Sequence, residues 1–196
     1  MVDERYTHRV GAGKLTGLKR TGNFDGEARE WFEFRGVPFV PKLERFEYPV
    51  YLDPFQWGDV LDATVYGDIC RQGDRGSEDC LTLNILVPDS LDGADSPRAV
   101  MIWIHGGAFV TGNGAGSEQV TPIISSQPQR QSKPSTQSHY TDGRALALHE
   151  DVIVVNINYR LGTVGFLSGI DDAHSLGTIM LEFQSRSLLN NYFVPH

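Results

Sequence analysis

The stretch AVMIWIHGGAFVTGNGAG, Ala99 to Gly116, passes from an apolar run straight into a loop punctuated by glycines. The run Ala99 to Ile104 is continuous and apolar, which predicts a central strand buried on both faces, as in a parallel sheet covered by helices. VIVVNIN, Val152 to Asn158, carries the same signal. Between them YTDGRALALHED predicts a short helix, with Thr141 or Asp142 as N-cap and Ala145, Leu146 and Leu148 on its apolar side. Strand, loop, helix, strand is a βαβ unit, so the expected fold class is α/β.

Outward from this unit the patterns change. CLTLNILVP, Cys80 to Pro88, alternates Leu81, Leu83, Ile85 and Val87 against Thr82, Asn84 and Leu86, the signature of a strand with one face more buried. GKLTGLKR, from Gly13, and WFEFRGVPFV, around Phe34, predict short strands of a peripheral hairpin with glycine turns. VPFVPKLERFEYPVYLDPF, rich in proline and aromatics, reads as an irregular segment draped on the core and anchored by Arg45 and Phe46. Residues 118–139 are dominated by Ser, Thr, Gln and Pro, a composition that cannot offset the cost of ordering its backbone and predicts a disordered insertion. Residues 169–196 keep neither helical nor strand periodicity and read as a divergent tail.

Composition bounds the function. A chain of 196 residues is one ordinary domain or a piece of a larger one, and its apolar fraction of 40% permits a core. The net charge of −8 argues against nucleic acid or an anionic membrane as partner. No apolar run reaches the roughly 18 residues of a membrane span. The charged start MVDERYTHRVGAG has no apolar segment of a secretory signal, which places a chain complete at its N-terminus in the cytoplasm. Cys70 and Cys80, in CRQGDRGSEDC, leave two readings open: a small disulfide loop in an oxidising compartment, or two unrelated reduced thiols.

The chemistry concentrates in HGGAF, His105 to Phe109. Two glycines after a buried strand permit positive φ and leave backbone N–H groups that no ladder uses. Such donors, aimed into a dry pocket, stabilise the negative oxygen that develops when an acyl carbonyl is attacked. A tight strand-to-helix turn is the alternative reading of the same residues. No cofactor or metal site is predicted.

FRGVPFVPKLERFEYP, PFQWGDVLDATVYGDICRQ, SEDCLTLNILVP, MIWIHGGAFVTG and HEDVIVVNINYRLGTVGFLS occur in the order and rough spacing of the type-B carboxylesterase and cholinesterase-like family. The chain resembles that family over about residues 13–117 and 140–168. GGAF followed by GNGAG is most similar to its carboxyl-ester-lipase (bile-salt-activated lipase) branch. The resemblance implies the N-terminal part of an α/β-hydrolase fold over residues 13–168, with a mostly parallel central sheet. It implies that Gly107 and Ala108 present two N–H arms of an oxyanion hole, with Gly106 as the preceding hinge. It further implies a disulfide between Cys70 and Cys80, and a buried ion pair of Arg45 with Glu78 that ties the irregular segment to the sheet. His105 is expected as loop scaffold and His149 on the surface. Trp57 is expected in the packed periphery and Trp103 in the strand core. Arg160 is expected to seek a buried acid from a later block absent from this sequence.

Ester hydrolysis on this fold needs a serine on a GxSxG elbow, followed by an acid and a histidine. No GxSxG occurs in the 196 residues. Loss of a nucleophile forfeits on the order of a millionfold in rate. The expectation is therefore an inactive N-terminal fragment of a serine carboxylic-ester hydrolase, whose full-length parent acts on carboxylic esters. The fragment itself is expected to expose an unpaired strand edge, because the strands that should flank its central ones are missing. Two other readings are a fragment of a non-catalytic adhesion protein like the neuroligins, and a truncated isoform with a binding or decoy role. The resemblance and the cysteine pair imply secretion or the ER lumen. The protein partner is unknown.

Overall fold

The structure is a computed structural model and describes residues 2–11, 13–47, 57–88, 98–115 and 143–167. The expected insertion at 118–139 and tail at 169–196 lie outside the described residues, as do both candidate N-caps, Thr141 and Asp142.

Among the described residues, seven strands form one sheet: β1 (Val2–Val10), β2 (Gly13–Phe24), β3 (Glu27–Pro38), β4 (Val60–Asp62), β5 (Thr82–Pro88), β6 (Val100–Ile104) and β7 (Ile153–Ile157). The order is β1-β2-β3-β5-β7-β6, with β4 added to β2. Helix α1 (Arg144–Glu150) lies between β6 and β7, and the short helix α2 (Gly162–Phe166) follows β7. The pair β6–β7 is parallel, so the βαβ unit forms as the two apolar runs imply. The parallel arrangement is confined to this end and to β2–β4, whereas β1–β2, β2–β3, β3–β5 and β5–β7 are antiparallel.

The hairpin of β2 and β3 closes on Asp25 and Gly26, both at positive φ (52° and 86°), with the Gly26 N–H donating to Asn23 Oδ1 at 3.0 Å. Two successive positive-φ residues give a turn whose twist matches that of the flanking strands, and Asp-Gly is a favoured pair for it. Strand β3 bulges between Phe34 and Val37 at Gly36 (φ 62°), where an added Cβ would lie 2.6 Å from the Val65 carbonyl oxygen. Any other residue there would be strained and also clash.

One face of the sheet carries Leu15, Phe32, Phe34, Val37, Ala63, Leu83, Ile85, Val87, Val155 and Ile157 in a single cluster. The opposite face packs Trp31, Leu86 and Val154 against Ala147 and Leu148 of α1. Strand β5 is therefore buried on both faces, Asn84 and Leu86 included, because α1 and Trp31 cover the side that alternation alone marks as the more polar one. Strand β3 also buries a carboxylate, Glu33. It accepts from Trp31 Nε1 at 2.7 Å and from Arg35 Nε and a terminal guanidinium nitrogen at 3.0 and 2.6 Å, with Arg20 Nε 3.6 Å away. Such pairing is what makes a buried charge tolerable.

Two expectations require correction, and one strand is new. Strand β6 is last in the sheet order among the described strands and meets only β7, so Met101, Ile102 and Ile104 are exposed and Trp103 is half-buried rather than core. Helix α1 starts at Gly143 in the left-handed region, with no side-chain cap, and it buries Ala147 and Leu148 while Leu146 faces outward. The strand at β1 was not anticipated. Its sequence is charged, yet residues 2–10 pair with β2 along the whole strand. Trp57 does pack at the periphery: its indole N–H donates to the Lys14 carbonyl at 2.6 Å.

Leu83 is fully buried at the centre of the larger cluster. Leu83→Ala is expected to cost about 2–5 kcal/mol, read as a lowered urea midpoint. Replacing both Cys70 and Cys80 by serine should cost about 2–3 kcal/mol by the same measurement, since a loop of this length closes in the oxidised unfolded chain.

Candidate active site

The C-terminal ends of β6 and β7 lie side by side, and the HGGAF loop leaves from the first while Asn158, Tyr159 and Arg160 leave from the second. Each of those three residues is buried, and each holds a different segment. Asn158 accepts from the Gly114 N–H at 2.7 Å and donates to the Asp68 carbonyl at 3.2 Å, which joins the end of the glycine loop to the segment before Cys70. The Tyr159 hydroxyl donates to the His105 carbonyl at 2.7 Å, and its ring stacks on the imidazole at 4.2 Å between centroids. Arg160 donates to the carbonyls of Glu47 and Glu44 at 2.7 and 3.1 Å, pinning the irregular segment.

His105 is scaffold in this geometry. Its Nδ1 lies 2.8 Å from the Gly106 carbonyl, an acceptor only, so Nδ1 carries the proton in the neutral ring. Burial pushes its pKa below the ordinary histidine value, partly offset by that hydrogen bond. A neutral ring against Tyr159 suits a support better than a proton carrier. His149 is exposed as expected and sits 3.0 Å from Asp25.

The loop itself is strained in a directed way. Gly107 has φ 121° and Ala108 and Phe109 have φ 53° and 61°, a run of left-handed residues of which two carry side chains. Such residues cost about 1–3 kcal/mol each and persist where surrounding structure over-determines them. An added Cβ on Gly107 would lie 1.8 Å from the Thr111 carbonyl oxygen, so glycine is required twice over. The Gly107 carbonyl accepts from the N–H groups of Val110 and Thr111 at 3.0 and 3.1 Å, which closes the turn. The N–H groups of Gly107 and Ala108 donate to nothing among the described residues, and Gly106 to Val110 are exposed. Phe109 reaches across to α2, its ring 4.9 Å from that of Phe166, and its carbonyl accepts from Gly162.

Beside the loop stands the small hairpin of residues 70–80. Cys70 and Cys80 form a disulfide and pack with Tyr159 and Leu161. Inside the ring Gly76, at φ 83°, brings its Cα against the Cys70 and Ile69 carbonyls, where a Cβ would lie 2.6 Å from each oxygen. Gln72 projects from this hairpin onto Thr111 and Gly112. Neither Gln72 nor Asn158 and Tyr159 stands out by residue type. The available signal is position, since polar side chains immediately after a continuous apolar strand end up buried and must find partners.

Arg45 and Glu78 meet in a bidentate pair, Arg45 Nε lying 2.9 and 3.0 Å from the two carboxylate oxygens. Glu78 raises the guanidinium pKa, and Arg45 holds the carboxyl below its ordinary value. The resemblance implied a buried pair, but the side chains are 64% and 25% exposed. The buried cation of this region is instead Arg160, at 3% exposure. Two backbone carbonyls hold it, and no carboxylate lies in ion-pair range among the described residues. Its Nε has no partner there, and desolvation lowers its pKa. Among the described residues, no group of His, Cys, Asp and Glu could hold a metal ion, and no helix is long and apolar enough to cross a membrane.

Comparison with known proteins identifies the family and fold of the chain. The model of the carboxylesterase family matches residues 5–178. Para-nitrobenzyl esterase of Bacillus subtilis (strain 168) is 36% identical over 177 residues, covering 83% of this chain and 29% of that protein. Bile salt-activated lipase of Homo sapiens is 33% identical, covering 79% of this chain and 19% of the relative. A solved structure of a PNB esterase superposes with a TM-score of 0.64 at 34% identity, over 94% of this chain and 34% of that one. The chain thus spans about three tenths or less of the length of these curated relatives. Their similar identities do not single out the bile-salt-activated branch. The match over most of its length, together with the superposition of its sheet, makes this chain a member of the carboxylesterase family with the α/β-hydrolase fold.

Proposed function

We propose that this chain supplies the oxyanion-stabilising loop of a carboxylic-ester hydrolase, and that the 196-residue polypeptide does not turn over esters by itself. The observation that carries the reading is the exposed pair of N–H groups on Gly107 and Ala108, which donate to nothing among the described residues and are fixed by a strained turn. Donors fixed in advance toward a developing negative oxygen need no reorganisation during reaction, and each is worth about 2.7–4 kcal/mol where one has been removed from an enzyme. Gly106 acts as the hinge that lets the strand turn into this loop. Arg45 and Glu78 hold the irregular segment on the outside of the Cys70–Cys80 hairpin.

The substrate class is a carboxylic ester, which rests on the family. The absence of GxSxG from these residues supports the lack of turnover. The disulfide supports an oxidising compartment, the secretory route or the ER lumen.

The purified chain is expected to give no hydrolysis of p-nitrophenyl butyrate above the buffer rate and no labelling by a serine-reactive fluorophosphonate. Labelling would overturn the proposed inactivity. A chimera joining residues 5–167 to the serine-bearing remainder of the Bacillus subtilis relative should hydrolyse the same ester. A folded chimera without turnover would overturn the oxyanion reading.

A further inference from the structure

Gln72 makes four side-chain hydrogen bonds from one position in the disulfide hairpin. Its Nε2 donates to the Gly112 carbonyl at 2.8 Å and to the Cys70 carbonyl at 3.1 Å. Its Oε1 accepts from the Thr111 hydroxyl at 2.7 Å and from the Gly112 N–H at 3.1 Å. The amide thus grips both backbone polar groups of one residue, Gly112, and a neighbouring hydroxyl, which needs a donor and an acceptor on the same planar group. Its own backbone is held by the turn to Arg75, with N–H donation each way at 3.0 and 3.2 Å, inside the ring closed by Cys70 and Cys80.

Thr111 and Gly112 are what the N–H loop rests on. The Thr111 N–H donates to the Gly107 carbonyl, and the Thr111 carbonyl lies so close to the Gly107 Cα that no side chain fits between them. On the other side Gly112, at φ 130°, lies against the imidazole of His105, where a Cβ would come within 2.2 Å of Nδ1. A shift of the 111–112 peptide therefore displaces the Gly107 carbonyl, and with it the peptide plane that carries the Ala108 N–H.

We propose that Gln72 is a positioning residue for the donor loop, coupling the Cys70–Cys80 hairpin to the direction in which Gly107 and Ala108 present their N–H groups. The proposal rests on the oxyanion reading for its functional meaning, but its structural content is independent of any ester turnover. Among the described residues, no other hairpin side chain hydrogen-bonds to Thr111 or Gly112. The disulfide then has a second role besides stability: it keeps the base of Gln72 in register with the loop.

The test is amide hydrogen exchange and 1H–15N chemical shifts of the full 196-residue chain and two variants. In Gln72→Ala the Gly112 and Thr111 amides should exchange about tenfold faster or more, since three hydrogen bonds to the loop are lost. The Gly107 and Ala108 amide resonances should move, while Leu83 and Val155 in the sheet keep their protection. Gln72→Glu keeps the acceptor for Thr111 and Gly112 and loses the donor to the Gly112 carbonyl, so it should restore part of the protection. Unchanged Gly107 and Ala108 resonances in Gln72→Ala would overturn the proposal, as would equal loss in both variants with the sheet intact. If Gln72→Ala loses sheet protection, Gln72→Glu decides alone: shifted Gly107 and Ala108 resonances support the proposal and unshifted ones overturn it. Failure of the chimera to hydrolyse ester would remove the oxyanion reading without touching these results.

Discussion

The three buried residues that follow β7 are the constraint on which the site depends. Asn158, Tyr159 and Arg160 are consecutive, yet they grip three separate parts of the chain: the end of the glycine loop with the approach to Cys70, the carbonyl of His105, and the turn around Glu44 to Glu47. Each is a polar side chain or cation withdrawn from water, and each recovers its hydration through backbone groups. The cost of burying a guanidinium far exceeds that of burying an amide; two carbonyls and the charges of Glu78 and Glu47 offset part of it for Arg160, and the desolvation that remains lowers its pKa. Removing any of the three would leave both the side chain's partner and a loop unsupported.

From that anchor the loop's strain becomes intelligible. A run of positive-φ residues including Ala108 and Phe109 does not persist by local preference. It persists because Tyr159 fixes the start of the loop through His105, Asn158 fixes its end through Gly114, and Gln72 holds the middle at Thr111 and Gly112. With start, middle and end all tied, the intervening N–H groups have one direction left to point. Preorganisation of this kind is what the proposed charge-stabilising role requires of a donor pair.

The two hairpins play unequal parts. The β2–β3 hairpin is self-contained, with its Asp-Gly turn and the buried Glu33 with its arginines, and it builds the wall behind the core. The disulfide hairpin has little apolar surface of its own beyond the two half-cystines, and its shape follows from a covalent ring plus Gly76. A rigid small loop that carries one bifunctional side chain is a suitable lever, because little of Gln72's position is left to its own rotamer freedom.

Much of this was legible in residue order. The continuous apolar runs at 100–104 and 153–157 determine two strands and their parallel pairing across a short helix, because those patterns have one low-energy packing. The glycines of HGGAF determine a turn with free N–H groups, and the sequence blocks around Cys70, HGGAF and Asn158 determine the family to which the chain belongs. Tertiary structure alone decided the rest. It left β6 exposed at the end of the described sheet, and it turned Arg45 and Glu78 toward water while burying Arg160. It also brought Gln72 onto a loop forty residues away and Tyr159 under a carbonyl fifty-four residues away. Local patterns encode the period and face of an element, whereas burial and hydrogen-bond partners depend on which distant segments are stacked against it, and no local pattern carries that information.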